Sequence, residues 1–290
     1  MSLYQEYKSS LKITAGEEFF DLILFRPLAF VLVKGISSTR VTPNQLTFVS
    51  ILFFIAAGAF ISTGSIDAVF AAGLFIGIGN VLDCADGQLA RINQSGTEFG
   101  RILDGIGDYI SAMALFIGIG LWGNSQSYDP LIWWGIVIVT GVSHGWQAQL
   151  VDYYRNEFIS YFEGEENFTI DEIKISKDKL LKLKNVKGNR FTKFILSSYI
   201  LYSTIQTKMQ PKQINFDINL SQQYVKNNLF ILRLWCFNGV STPKFLSVIC
   251  CFFNRLDIFI VFVLVFGTFW SLFLLILQKK VDKKILMSTT

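Results

Sequence analysis

Apolar residues run along this chain in blocks longer than the core helices of most soluble domains, and short polar interruptions set their limits. A helix needs about 20 mostly apolar residues to cross the hydrocarbon of a bilayer. Blocks of that kind fall at residues 45–63, 67–90, 101–123, 130–151 and 257–278. Between 229 and 254 the pattern is broken by Arg233, Gly239, Pro243 and Lys244, and a shorter span at 242–254 fits best there. The pattern predicts an all-α integral membrane protein with six transmembrane helices. Residues 17–36 are also apolar but carry Arg26, Pro27 and Lys34, which suits an interfacial helix better than a span.

The chain divides accordingly. Residues 1–44 form an N-terminal region with the interfacial helix, and 45–152 hold transmembrane helices 1–4. Residues 153–228 are a polar, lysine-rich insert, 229–278 hold helices 5 and 6, and 279–290 are a basic tail. No repeat or low-complexity tract interrupts this order. The insert reads either as a solvated charged loop or as a segment drawn to anionic headgroups.

Charge placement orients the bundle, because Lys and Arg accumulate in cytoplasmic loops. Lys8, Lys12, Arg26, Lys34 and Arg40 precede helix 1, Arg91 and Arg101 flank the turn between helices 2 and 3, and most other basic residues lie in the insert or the tail. The turns near 63–66 and 123–129 carry none, and only Arg255 dissents. Both termini, the insert and the 2–3 turn are therefore expected in the cytoplasm, with no cleavable signal peptide and no nucleic-acid partner.

Composition agrees. Of 290 residues 51% are hydrophobic and 17% charged, against roughly 25% charged in soluble proteins. The four cysteines, Cys84, Cys236, Cys250 and Cys251, form no CxxC pair, which argues against a disulfide scaffold or a structural zinc site. Cys84 reads as packing, and Trp133, Trp134 and Trp146 suit an aromatic belt.

The chemistry concentrates in one stretch, Asn80 to Asp108, NVLDCADGQLARINQSGTEFGRILDGIGD. Asp83 and Asp86 are three apart at the end of helix 2, and Asp104 and Asp108 are four apart at the start of helix 3, so each pair shares a helical face. A polar turn joins the helices, and all four carboxylates can converge at the cytoplasmic interface. Charges at membrane depth cost several kcal/mol and usually mark function. Four carboxylates together require protons or cations between them. An all-oxygen ligand set favours Mg²⁺ or Mn²⁺ over zinc, and two such ions could clamp the oxygens of a phosphoryl displacement. Gly79, Asp83 and Gly87 form one stripe and Gly100, Asp104 and Asp108 another. Their glycines serve either close helix packing or room for a diphosphate. Arg91 is a permanently charged donor suited to phosphate.

The run Asp83, Asp86, Gly87, Ala90, Arg91, Gly100, Asp104, Asp108 fills the pattern D-x2-D-G-x2-A-R-x8-G-x3-D-x3-D without a gap. It resembles the signature of the CDP-alcohol phosphotransferases, also called CDP-alcohol phosphatidyltransferases, and Arg26-Pro27 and Thr42-Pro43-Asn44-Gln45-Leu46-Thr47 resemble that family as well. The resemblance covers roughly residues 20–155. It implies a six-helix membrane fold, a homodimer, and a site open to the cytoplasm. It further implies that Asp83, Asp86 and Asp104 hold the metal ions, with Asp108 contributing to the metal site and acting as general base. Gly87, Ala90, Arg91 and Gly100 would line the CDP pocket.

The expected reaction is transfer of a phosphatidyl group from CDP-diacylglycerol to a small hydroxyl acceptor, releasing CMP. Glycerol phosphate, inositol, inositol phosphate and serine are open as acceptors. A CDP-choline or CDP-ethanolamine phosphotransferase acting on a diradylglycerol is the alternative within the family. A cation transporter using intramembrane aspartates, or a scaffold that binds a partner through the insert, are the alternatives outside it. His144, Gln147 and Arg155 fall near one face of helix 4. They could line an acceptor pocket, or serve as packing and a headgroup anchor.

Overall fold

The computed structural model describes residues 3–11, 16–163, 180 and 218–288, and the regular elements among them are helices. α1 (Leu3–Ser10) is followed by a π turn at Asp21–Phe25 that runs into α2 (Arg26–Ile36). Then come α3 (Pro43–Ser62), α4 (Ile66–Ile92), α5 (Glu98–Ser125) and α6 (Pro130–Glu163). After the insert follow α7 (Ile218–Phe237), α8 (Ser241–Phe252) and α9 (Leu256–Val261), and a π segment, Phe262–Gly267, joins α9 to α10 (Thr268–Ser288).

Among the described residues four stretches are long and apolar enough to cross a membrane: Pro43–Ser62, Ile66–Ile92, Phe99–Ser125 and Leu256–Lys283. The other two expected spans are helical but are not among these four. In α6 the apolar run ends at Val142 and gives way to Ser143, His144 and Gln147. Helix α8 has 12 residues, about 18 Å at 1.5 Å per residue, short of a hydrocarbon core of about 30 Å. Most of the insert lies outside the described residues. Its first part continues α6 unbroken to Glu163 rather than beginning a loop at 153.

Local chemistry starts the helices where the sequence places them. Thr42 accepts from Gln45 N, and the Gln45 side chain accepts from Thr42 N at 2.9 Å. This capping box, with Pro43 in the first turn, satisfies amides that would otherwise lack partners. Thr97 Oγ1 accepts from Gly100 N at 3.0 Å and opens α5 in the same way. The α4–α5 turn passes through Gln94 in the left-handed region (φ 49°), and Ser95 N returns to Ala90 O at 2.9 Å.

Helices α3 and α5 cross closely. A Cβ on Gly58 would stand 2.3 Å from Ala114 O, and one on Gly118 would stand 2.4 Å from Gly58 O. In a bilayer, where lipid is as apolar as the helices, close approach of this kind replaces the hydrophobic drive to associate. Phe54, Ile61, Ile76 and Trp122 fill the adjoining core with Leu256 and Ile260 from α9. At the other end of the bundle Phe25 of the π turn and Ala29 and Val33 of α2 are buried against Leu46 of α3 and Cys84, Ala85 and Leu89 of α4. The opposite face of α2 exposes Leu28 and Val31.

Two contacts fix the C-terminal helices. The buried Glu18 carboxylate accepts from Val240 N at 3.2 Å and Ser241 N at 2.6 Å, capping α8. The π segment leaves the Val263 carbonyl to accept from Gln147 Nε2 of α6 at 3.0 Å.

Candidate active site

The α4–α5 hairpin gathers the expected carboxylates. Asp83, Asp86 and Asp104 each offer an oxygen within 4.8 Å of the others. The spacing works as the periodicity requires: residues three and four apart on a helix face one direction, and the tight turn sets the two faces against each other. A third helix orients the cluster, because the Thr47 hydroxyl of α3 donates to Asp86 Oδ2. Asp86 is 7% exposed, and the Gly87 backbone also hydrogen-bonds its carboxylate. Three convergent carboxylates fit a hard divalent cation, which takes oxygen ligands and supplies the charge that relieves their repulsion.

Asp108 stands apart from that triad. Its Oδ1 accepts from Lys244 Nζ at 3.1 Å, and the same ammonium lies 3.1 Å from Asp83 Oδ2. The Asp108 side chain is 43% exposed against 23% for Asp83, so Asp108 is the member of the pair more open to an incoming group.

The glycine and arginine positions also meet here. The Arg91 guanidinium lies over Gly87, where a Cβ would come 3.3 Å from its Nη2. Its Nε donates to the Ser10 carbonyl of α1, while Nη2 is buried without a partner among the described residues. Gly100 permits the first turn of α5 to approach α3, since a Cβ there would stand 2.8 Å from Asn44 Oδ1. Ala90 is half-buried one position before Arg91.

The three α6 candidates have separate surroundings. Gln147 is 1% exposed, and its amide donates to Ser143 Oγ at 2.9 Å as well as to Val263 O. It joins α6 to the π segment. Arg155 pairs with Asp152 and lies 3.7 Å from Glu18. The His144 ring stands 5.9 Å from Phe116, with Nδ1 buried and unpartnered among the described residues.

Lys244 and Thr47 touch the carboxylates, and Glu18 caps the helix that carries Lys244. In the sequence Arg233 and Lys244 frame a polar interruption that could approach the site, with no role assigned to either. Thr47 lay inside a family-like run without a role, and nothing local ties Glu18 to a helix more than 200 residues away.

In this helical bundle one hairpin carries both a carboxylate triad, a donor set that fits a divalent cation, and the half-buried Arg91. Residues 40–153 match the model of the CDP-alcohol phosphatidyltransferase family. The stretch runs from just before α3 through most of α6. All four aspartates lie inside it, and Lys244 lies beyond. One relative is an archaetidylinositol phosphate synthase of Pyrococcus horikoshii, 32% identical over 123 residues, 42% of this chain and 57% of the relative. Another is a phosphatidylinositol phosphate synthase of Corynebacterium glutamicum, 37% identical over 114 residues, 37% of this chain and 46% of the relative. The chain thus spans about half the length of these curated relatives.

Proposed function

We propose that this protein is a phospholipid-synthesising transferase that moves a phosphatidyl group from CDP-diacylglycerol to a small hydroxyl acceptor and releases CMP. The observation that carries the reading is the Asp83–Asp86–Asp104 triad inside the family-matched stretch. The names of both relatives end in inositol phosphate synthase, which favours a phosphorylated polyol such as inositol phosphate among the acceptors.

In this reading Asp83, Asp86 and Asp104, with Asp108 contributing, hold Mg²⁺ or Mn²⁺, two ions in all. Bound there, the cations neutralise the diphosphate and the charge that develops on transfer. Gly87, Ala90, Arg91 and Gly100 line the nucleotide pocket. Gly87 lets the Arg91 guanidinium lie close against the helix, and Arg91 has its unpartnered Nη2 there for a diphosphate oxygen. Asp108 takes the proton from the acceptor hydroxyl. The alcohol oxygen then attacks the lipid-linked phosphorus, a new P–O bond forms, and the bond to the bridging oxygen breaks, so that CMP leaves with the electron pair. His144 and Arg155 stand on the α6 side for the acceptor. Gln147 supports them through packing, since its amide is already engaged.

For topology we propose six crossings. Helix α6 supplies one, with 34 residues in which the apolar end lies in the bilayer. The apolar end of α7 together with α8 supplies another. Helix α2 lies at the interface, with its exposed Leu28 and Val31 in lipid. Both termini and the carboxylate cluster face the cytoplasm, as the basic loops favour, and the protein works as a homodimer. A cation path is disfavoured by Lys244 and Arg91, which place fixed positive charge at the cluster.

The test is to supply membranes containing the full chain with CDP-diacylglycerol, CDP-choline or CDP-ethanolamine, Mn²⁺, and a panel of acceptors. CMP release and a new phosphodiester lipid from CDP-diacylglycerol are expected. CMP release from the headgroup donors alone would transfer the reading to the other branch, and cation flux without any nucleotide chemistry would overturn it.

A further inference from the structure

The proposed reaction has no place for Lys244, yet its ammonium is held against two of the carboxylates. It sits in the first turn of α8, 12% exposed, with Nζ at 3.1 Å from both Asp83 Oδ2 and Asp108 Oδ1 and 5.1 Å above the Phe54 ring. The end of the helix that carries it is anchored, because Glu18 accepts from the Val240 and Ser241 amides. Gly239 lets that carboxylate come close, since a Cβ would stand 2.2 Å from Glu18 Cδ. The ammonium is therefore delivered to one place by backbone-level contacts.

Asp83 belongs to two groupings at once. It contributes an oxygen to the triad with Asp86 and Asp104, and it also pairs with Lys244. A fixed ammonium and a divalent cation on the same carboxylate repel strongly at such distances in a partly dry site. We propose that Lys244 is a resident counter-ion of the cluster: it neutralises the Asp83–Asp108 edge, and a divalent cation must displace its ammonium from Asp83 to complete the site. This rests on the metal-binding reading of the triad. The lysine lowers the intrinsic affinity for one cation and links metal loading to the position of α8. A cluster with its own counter-ion tolerates the absence of metal, where four bare carboxylates would not.

Mn²⁺ binding to the detergent-solubilised full chain, followed by loss of the free-ion paramagnetic signal at fixed pH without nucleotide, tests this directly. Lys244→Met is expected to tighten Mn²⁺ at one site by about tenfold or more, and Lys244→Arg, which keeps the charge, to stay near the parent value. Unchanged or weaker binding in Lys244→Met overturns the counter-ion role while leaving the metal site intact. A parent protein that binds no Mn²⁺, or an Asp86→Asn variant that binds it as well as the parent, overturns the metal-site reading and the counter-ion with it. Should Lys244→Met not fold, Glu18→Gln keeps the lysine but weakens the charge that anchors α8. It is expected to tighten Mn²⁺ in the same direction, and no change there counts against the proposal.

Discussion

Thr47 and Asp108 hold different places in the proposed site. The Thr47 hydroxyl is the side-chain donor to Asp86, a buried carboxylate of the triad. Groups that orient a metal ligand typically contribute 10–100-fold to affinity or activity. Thr47→Val keeps the side-chain shape and is expected to lower Mn²⁺ affinity within that range, with thermal stability largely retained. A Thr47→Val protein that binds Mn²⁺ like the parent would show that Asp86 is held without the hydroxyl. Asp108 is more exposed than Asp83 and is outside the triad. Asp108→Asn preserves volume and removes the base, so turnover should vanish while CDP-diacylglycerol binding, measured by equilibrium methods, persists. An active Asn variant would take the proton-accepting role away from Asp108.

At the scale of helices, the site depends on how closely α3 and α5 approach and on where α8 is held. Gly58 faces the Ala114 backbone, which cannot give way as a side-chain tip would. Gly58→Leu should force α3 from α5, shift Thr47 relative to Asp86, and lower both melting temperature and activity. Gly77, with nothing within 4 Å of its would-be Cβ, is the matched control, and Gly77→Ala should be nearly silent. Equal effects of the two substitutions would remove the close crossing from the account. The sequence carried most of this level because its signals are local. Thr42-Pro43-Asn44-Gln45 spells its own helix start, and the i, i+3 and i, i+4 aspartates converge because one tight turn joins their helices. Long-range partners left no such mark. Lys244 meets Asp83 and Asp108 across 161 and 136 positions, and the Gln147 partner is a carbonyl released by a π segment. Regular hydrophobic periodicity foretells neither.

For the whole molecule, the junction of α6, α7 and α10 sets a pH dependence. Burial pushes the Glu157 carboxyl up from 4.5 to about 7, Asp282 adds to the rise, and the Tyr224 hydroxyl opposes it. The folded chain therefore keeps a proton that the unfolded chain releases. This stabilisation is complete below about pH 4.5 and is lost as pH rises through about 7. The melting temperature in detergent should decline across that window, and Glu157→Gln should flatten the decline. A slope unaffected by the substitution would assign the effect elsewhere. The distance in sequence between the acidic hairpin and Lys244 has a consequence for biosynthesis. A ribosome adds about 5–20 residues per second, so the 136 positions from Asp108 to Lys244 take roughly 7–30 s. Throughout that interval α4 and α5 are already made, and Lys244 is not yet there to meet their carboxylates. Protons or divalent ions must stand in for it until α8 is made. Magnesium starvation during synthesis should therefore harm the newborn chain more than the finished one.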